Sequence, residues 1–173
     1  MGQVWGMVNS GRRVLPGTGT YFFTVRLADP ASDFLTRHIE LLRLSTRMCQ
    51  IRYPFEIGDG VALPDRMHVI WTLPPGDDNY LVRWQSIRST FARHVPLQGH
   101  HTATMAIWQR RVWNRRILTQ ADLAECRSLI YDAPVQAGLV EQSSDWPYST
   151  TSQAYMRDRS GGSALLHVIE GGR

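Results

Sequence analysis

Strand-like and helix-like segments follow one another along this chain in an order that few folds accommodate. The strand-like segments are rich in aromatic and β-branched residues, and the helix-like segments repeat apolar residues every three or four positions. In chain order we expect a strand (20–27), a helix (33–50), a hairpin (53–63 and 67–73), a helix from Asp77 or Asp78 to about Val95, a strand or extended arm (105–113), and a helix that begins at Thr119 or Gln120 and stops at Pro134 and Gly138. This order predicts an α+β fold, a ferredoxin-like antiparallel sheet with helices packed mainly on one face.

The length of the chain and its apolar content indicate one domain. The chain has 173 residues, of which 43% are hydrophobic, and we expect residues 1–157 to form the domain and residues 158–173 a flexible C-terminal tail. No apolar run approaches the roughly 20 residues that span a bilayer, and no signal peptide is visible at the start, so we expect a cytoplasmic protein without a membrane partner. Cys49 and Cys126 are far apart in sequence and are expected to be buried free thiols.

All 19 basic residues are arginine, and the formal net charge is +4. Two groups of arginines stand out: Arg12 with Arg13, and a second group interleaved with Trp108 and Trp113, which comprises Arg110, Arg111, Arg115 and Arg116. Guanidinium groups bind phosphate through two parallel hydrogen bonds, and indole rings stack on bases, so the mixture suits nucleic acid. A solvated basic face in an arginine-rich chain explains the composition equally well.

Four segments, in order along the chain, carry a resemblance to a known family. They are 12–27 (RRVLPGTGTYFFTVRL), 61–78 (VALPDRMHVIWTLPPGDD), 107–116 (IWQRRVWNRR) and 130–150 (IYDAPVQAGLVEQSSDWPYST). Together they resemble the REP-associated tyrosine transposases, single-tyrosine members of the HUH nuclease superfamily. The resemblance implies a ferredoxin-like sheet with two histidines, one residue apart, on a central strand. It also implies a nucleophilic tyrosine on a nearby helix and a divalent metal, Mg²⁺ or Mn²⁺, that polarises the scissile phosphate.

Three of the four catalytic positions implied by the resemblance are substituted in this chain. The family's LPDHxH is LPDRMH here, so Arg66 replaces the first histidine and only His68 remains. Alignment on Pro134 places Leu129 at the nucleophile and Ala133 at the third metal ligand, four residues apart on one helix face. Arginine, leucine and alanine side chains supply neither a metal ligand nor a nucleophile. A divalent metal is expected if the site is active, and none if it is degenerate.

Tyr131 is an alternative nucleophile, two residues from the expected position. Two residues correspond to about 200° on a regular helix, which sends the ring to another face unless the helix distorts before Pro134; a packed aromatic is the competing interpretation. His68 is a doubtful metal ligand, because a lone strand histidine is more often satisfied by a hydrogen bond. His100 and His101 lie in no metal spacing and are expected to be exposed in a loop.

The binding elements of the family are retained. By resemblance, the segment around residues 12–20 contacts the single-stranded tag beside a hairpin foot, and residues 107–116 lie near the stem. The candidate DNA-binding residues are Arg12, Arg13, Arg66, Arg110, Arg111, Trp113, Arg115 and Arg116. Trp108 and Trp113 are equally compatible with core positions. In place of the metal, Arg66 is predicted to bind the backbone phosphate.

We therefore expect a protein that binds single-stranded DNA hairpins of the REP type, as a monomer or homodimer, and that has lost strand cleavage. Two alternatives remain open. One is an active metal-dependent transposase or nickase that uses Tyr131 and His68. The other is an RNA-binding or interaction module on the same fold.

Overall fold

The computed structural model describes residues 18–96 and 107–152. Its elements are β1 (Gly19–Arg26), α1 (Phe34–Arg37), α2 (Ile39–Arg52), β2 (Glu56–Ala62), β3 (Arg66–Leu73), α3 (Tyr80–His94), β4 (Trp113–Arg116), α4 (Gln120–Gln136) and a short 3-10 turn (Ser143–Asp145). The four strands form one antiparallel sheet in the order β2-β3-β1-β4. This is the strand order of a ferredoxin-like sheet, and the predicted α+β fold is confirmed. Arg12, Arg13, His100, His101 and the predicted tail at 158–173 lie outside the described residues.

The sheet divides its side chains between two cores because alternate residues of a strand point to opposite faces. Phe23 and Trp71 pack on one face with Trp84 of α3, and the ring centroids of the two tryptophans are 4.1 Å apart. Phe22 and Ile70 point to the other face, where α4 covers them. The helices α2 and α3 thus share one face, as predicted, whereas α4 lies alone on the opposite face.

The buried face of α4 explains why this helix docks where it does. Leu123, Cys126, Ile130 and Ala133 recur at helical spacing and form the apolar cluster that contacts the sheet. Thr119 caps the helix: its hydroxyl accepts from the Asp122 backbone N–H, and the Asp122 carboxylate accepts in return from the Thr119 backbone N–H. Both cysteines are buried free thiols, as expected.

Several predicted boundaries are wrong. The helix predicted over 33–50 is divided into α1 and α2 by His38, whose backbone is not helical (φ −115°, ψ 39°). Asn79, and not Asp77 or Asp78, caps α3, because Asp77 is bonded to Arg83 and the Asn79 side chain accepts from Val82 N–H. The fourth strand begins only at Trp113, where the prediction ended it.

Proline does not stop the last helix. Pro134 lies inside α4, which continues to Gln136. The helix ends where Gly138 adopts a positive φ of 69°, a conformation that glycine tolerates without strain. The N–H groups of Gly138 and Leu139 donate to the carbonyls of Val135 and Pro134, which closes the helix end.

Candidate nucleic-acid interface

A row of side chains crosses the face of the sheet that carries α4. The strand register aligns Val61, His68, Thr24 and Trp113 from β2 to β4. His68 Nδ1 lies 2.9 Å from Thr24 Oγ1. The imidazole stacks parallel to the ring of Phe22 at 5.8 Å, and Trp113 meets the same ring edge-on at 5.9 Å. The row therefore ends in an indole that is 53% exposed and able to stack on an unpaired base.

Two arginines stand opposite one another, two residues along the strands from the middle of this row. Arg26 of β1 pairs with Arg66 of β3 in the antiparallel register, and each lies two residues along its strand from the Thr24–His68 pair. Arg66 Nη1 donates to both carboxylate oxygens of Asp65, at 3.1 and 3.2 Å. The Arg26 side chain is exposed and makes no hydrogen bond or ion pair among the described residues. Two arginines and one carboxylate, Asp65, lie at this position, and only Arg66 is bonded to the carboxylate, so the position carries net positive charge.

Arg26 is not among the DNA-binding residues predicted from the sequence. In the sequence, Arg26 stands two residues after Thr24, which places both side chains on the same face of the strand. This spacing does not say which residue of a neighbouring strand lies opposite Arg26. The β1–β3 register supplies that information.

His68 is neutral at physiological pH. Burial, followed by the neighbouring charges of Arg66 and Arg26, lowers the pKa of His68 to about 4, with Asp65 opposing part of the shift. A neutral imidazole is the protonation state that binds metals, so the state of His68 alone does not exclude a ligand role. The neighbouring positions that would complete a metal site, Arg66 and Ala133, do not supply metal ligands.

The residues at the implied metal site do not fit a metal. Arg66 presents a permanent cation that has no lone pair to donate, and Ala133 is a buried methyl group. Among residues 18–96 and 107–152, no cluster of three His, Cys, Asp or Glu side chains could hold a metal ion. Arg26 and Arg66 would also repel a divalent cation electrostatically.

Leu129 and Tyr131 face opposite sides of α4. Leu129 lies two turns after Asp122, which is bonded to Arg115 of β4 at 2.9 Å, so it faces the β4 side. Tyr131 lies one turn after Arg127, whose Nε donates to Asp59 of β2 at 2.6 Å. Leu129 is 43% exposed and Tyr131 46% exposed. Because α4 continues as α-helix through Pro134, no distortion brings the Tyr131 ring to the side of Leu129.

The arginines between Ile107 and Arg116 differ in whether they are bonded to carboxylates. Arg110, Arg111 and Arg116 are exposed and contact no carboxylate among the described residues, although Arg116 lies 5.9 Å from the centre of the Tyr21 ring. Arg115 instead donates to Asp122 and Glu125 at 2.9 and 2.8 Å. These two hydrogen bonds raise the pKa of Arg115 above its ordinary value. Its charge is compensated, so it offers less to a phosphate than its neighbours do.

The two tryptophans of the cluster also differ. Trp108 is buried, with its ring centroid 5.3 Å from that of Phe91, and its Nε1 donates to the Arg88 carbonyl. Trp113 is exposed on the α4 face. Of the two interpretations that the sequence allowed, the core position holds for Trp108 and the exposed one for Trp113.

Together, the four-stranded α+β sheet and its arginine-rich, tryptophan-bearing surface are typical of a small nucleic-acid-handling domain. The chain is 40% identical over 139 residues to a REP-associated tyrosine transposase of Escherichia coli (strain K12), covering 80% of each chain. A relative from Haemophilus influenzae is 36% identical over 146 residues, covering 80% of this chain and 83% of its own length. This protein belongs to the REP-associated tyrosine transposase family.

A solved structure supports the same assignment. A REP-associated tyrosine transposase bound to a REP hairpin superposes with a TM-score of 0.73 and 38% identity, covering 90% of this chain and 87% of that chain. No protein-family model matches the chain. Among the described residues, no helix has the length and apolar character needed to cross a membrane.

Proposed function

We propose that this protein binds single-stranded DNA hairpins of the REP type and holds them without cutting. The observation that carries the proposal is the pair Arg26 and Arg66 beside His68, at the position where the family places its metal ion. A related structure is bound to a REP hairpin, which supports DNA of this kind as the partner.

The pair of arginines is suited to one backbone phosphate. Arg66 uses only Nη1 on Asp65, so its Nε and Nη2 hydrogens have no partner among the described residues, and all the donors of Arg26 are free. Charge-assisted hydrogen bonds from guanidinium to phosphate are short and strong. Trp113 extends the same face and can stack on a base next to that phosphate. Arg110, Arg111 and Arg116 provide further free charge for the backbone.

Strand cleavage needs a nucleophile aimed at this phosphate, and the described part of the chain does not supply one there. Leu129 takes the family's nucleophile position and has no reactive atom. Tyr131 has a phenol, but it faces the β2 edge of α4. With Ala133 buried and Arg66 cationic, metal-assisted chemistry also lacks ligands among residues 18–96 and 107–152. Arg66 therefore supplies the positive charge for binding, and no reaction follows.

A denaturing gel tests the loss of cleavage. The protein is incubated with a REP-type hairpin and Mg²⁺ or Mn²⁺, and we expect no covalent protein–DNA adduct. The matched control is the triple substitution Arg66→His, Leu129→Tyr and Ala133→Asn, which rebuilds the family's set of side chains and is expected to form an adduct. An adduct with the unmodified chain that disappears in Tyr131→Phe would overturn the proposal and establish a nickase that uses Tyr131.

Equilibrium binding tests the phosphate contact. We expect the hairpin affinity to be equal in Mg²⁺ and in EDTA, and to fall about tenfold in Arg66→Ala or Arg26→Ala, since hydrogen bonds to charged groups contribute about 1.5–3 kcal/mol. Arg47→Ala is the matched control, because Arg47 is an exposed arginine of α2 on the other side of the sheet. Strong Mg²⁺ dependence with no effect of Arg66 would contradict the proposal, and tighter binding of the matched RNA hairpin would favour the RNA alternative.

A further inference from the structure

The stretch from Ile107 to Val112, just before β4, is attached to the end of β1 by backbone hydrogen bonds. Ala28 N–H donates to the Ile107 carbonyl at 2.8 Å, and Gln109 N–H donates to the Arg26 carbonyl at 2.9 Å. Leu27 and Trp108 form an isolated antiparallel bridge between these two bonds. Beyond Trp108 the backbone belongs to no helix or strand until β4 begins. Arg110 and Arg111 are therefore carried by a segment that β1 holds only at its start.

Arg88 of α3 holds the next part of this segment. Its Nη2 donates to the Gln109 carbonyl at 2.6 Å, and its Nη1 lies 3.4 Å from the Arg110 carbonyl. The guanidinium lies 5.8 Å from the centre of the Trp108 ring, and Trp108 Nε1 donates back to the Arg88 carbonyl at 3.2 Å. One side chain thus links α3 to two successive peptide groups and to the tryptophan before them.

The environment of Arg88 separates it from the arginines that are free to meet DNA. Burial lowers its pKa, although the guanidinium stays charged near neutral pH. No carboxylate contacts it among the described residues; its hydrogen-bond acceptors are the two carbonyls. A cation that is partly withdrawn from water and has no carboxylate beside it is stabilised by such hydrogen bonds. Arg88 therefore favours the conformation of the segment in which both carbonyls turn toward α3.

We infer that Arg88 is a positioning residue for DNA binding: it fixes the backbone at Gln109 and Arg110 so that the side chains of Arg110 and Arg111 are presented to the hairpin. This inference rests on the proposed function, because it takes these two arginines as DNA contacts. A segment that is already ordered in the free protein binds more tightly, because it loses less conformational entropy when the complex forms. Arg88 acts through the segment and does not itself touch the DNA.

A double-mutant cycle tests the inference. Arg88→Met keeps an unbranched side chain for packing on Trp108 and removes the donors, whereas Arg88→Lys keeps the charge but cannot bridge two carbonyls with a planar fork. Both changes are made in the unmodified chain and in the Arg110→Ala/Arg111→Ala background, and affinity for a fluorescent REP-type DNA hairpin is measured at fixed salt. Melting temperatures establish that each variant is folded.

We expect Arg88→Met to weaken binding about fivefold to tenfold, as the ordering of one or two long side chains would, and Arg88→Lys to weaken it less. In the background without Arg110 and Arg111, Arg88→Met should change affinity by less than about twofold. Hydrogen exchange of the Gln109 amide, which is bonded to the Arg26 carbonyl, should accelerate in Arg88→Met. As the control, Arg47→Met should change the hairpin affinity by the same factor in both backgrounds.

Three results would overturn the inference. The first is unchanged affinity in Arg88→Met, with hairpin binding by the unmodified chain intact. The second is an equal loss in both backgrounds, which would make Arg88 a direct contact or a source of general charge. These two results leave the proposed function standing. The third, failure of the unmodified chain to bind any REP-type hairpin, would overturn the proposed function and this inference with it.

Discussion

Lowering the pH from 7.5 to 5 should destabilise this protein through His68. The pKa of His68 is about 4 in the folded protein, against 6.5 for the unperturbed side chain, with burial as the main cause, followed by the charges of Arg66 and Arg26. The folded state therefore binds this proton less tightly than the unfolded state does. The stabilisation is complete above pH 6.5 and is lost as the pH falls from 6.5 toward 4.

The size of the effect follows from the two pKa values. At pH 5 nearly all unfolded molecules carry the proton on this histidine, whereas about a tenth of the folded molecules do. Linkage then gives a loss of about 2 kcal/mol in the free energy of unfolding between pH 7.5 and pH 5. The total free energy of unfolding of a small domain is about 5–15 kcal/mol, so the loss should be readily measurable.

Urea unfolding at the two pH values, in the unmodified chain and in His68→Gln, isolates this contribution. Glutamine can still hydrogen bond to Thr24, and the carboxylates titrate in both proteins, so the difference between the two losses belongs to His68. Arg66→Gln removes one of the charges that lower the pKa of His68 and should reduce the loss. Equal losses in the unmodified chain and in His68→Gln would refute the argument.

Three further substitutions separate structural from binding roles. Thr119→Ala removes the cap of α4 and should lower the free energy of unfolding by about 1 kcal/mol; an unchanged urea midpoint would contradict this role. Arg83→Met removes the ion pair between the buried Arg83 side chain and the partly exposed Asp77 carboxylate and should lower the free energy of unfolding by about 2 kcal/mol; an unchanged melting temperature would contradict this role. Arg115→Met should change hairpin affinity less than Arg116→Met does, because Arg115 is already bonded to two carboxylates; the reverse order in a binding titration would show that Arg115 exchanges its partners for DNA.

The order of strands and helices was predictable because local patterns encode it. The aromatic and β-branched residues of β1 and the helical spacing in α4 both appear within a single element, and the structure confirms the fold that they predict. Boundaries were less predictable. Pro134 indicates a helix end on its own, yet packing of α4 on Phe22 and Ile70 carries the helix past it to Gln136.

The candidate site was predictable only in part. The substitutions at Arg66, Leu129 and Ala133 are visible in the sequence once the resemblance is recognised. The surroundings of each residue are not. Trp108 and Trp113 share a motif, but only the first is buried. Arg115 and Arg116 are neighbours in sequence and point to opposite faces of β4, where one meets two acids of α4 and the other lies over the Tyr21 ring.

By itself, the sequence determined the order of the elements and the family resemblance, because both are encoded in residue identity and spacing along the chain. The same information predicts that the family's catalytic side chains are substituted at Arg66, Leu129 and Ala133. The tertiary structure alone decided that Arg26 stands opposite Arg66, that Leu129 is turned toward β4 and Tyr131 toward β2, and that Arg88 holds the segment before β4. These relations join residues that are far apart in sequence. Strand register and helix docking set them, and both depend on packing that no local pattern contains.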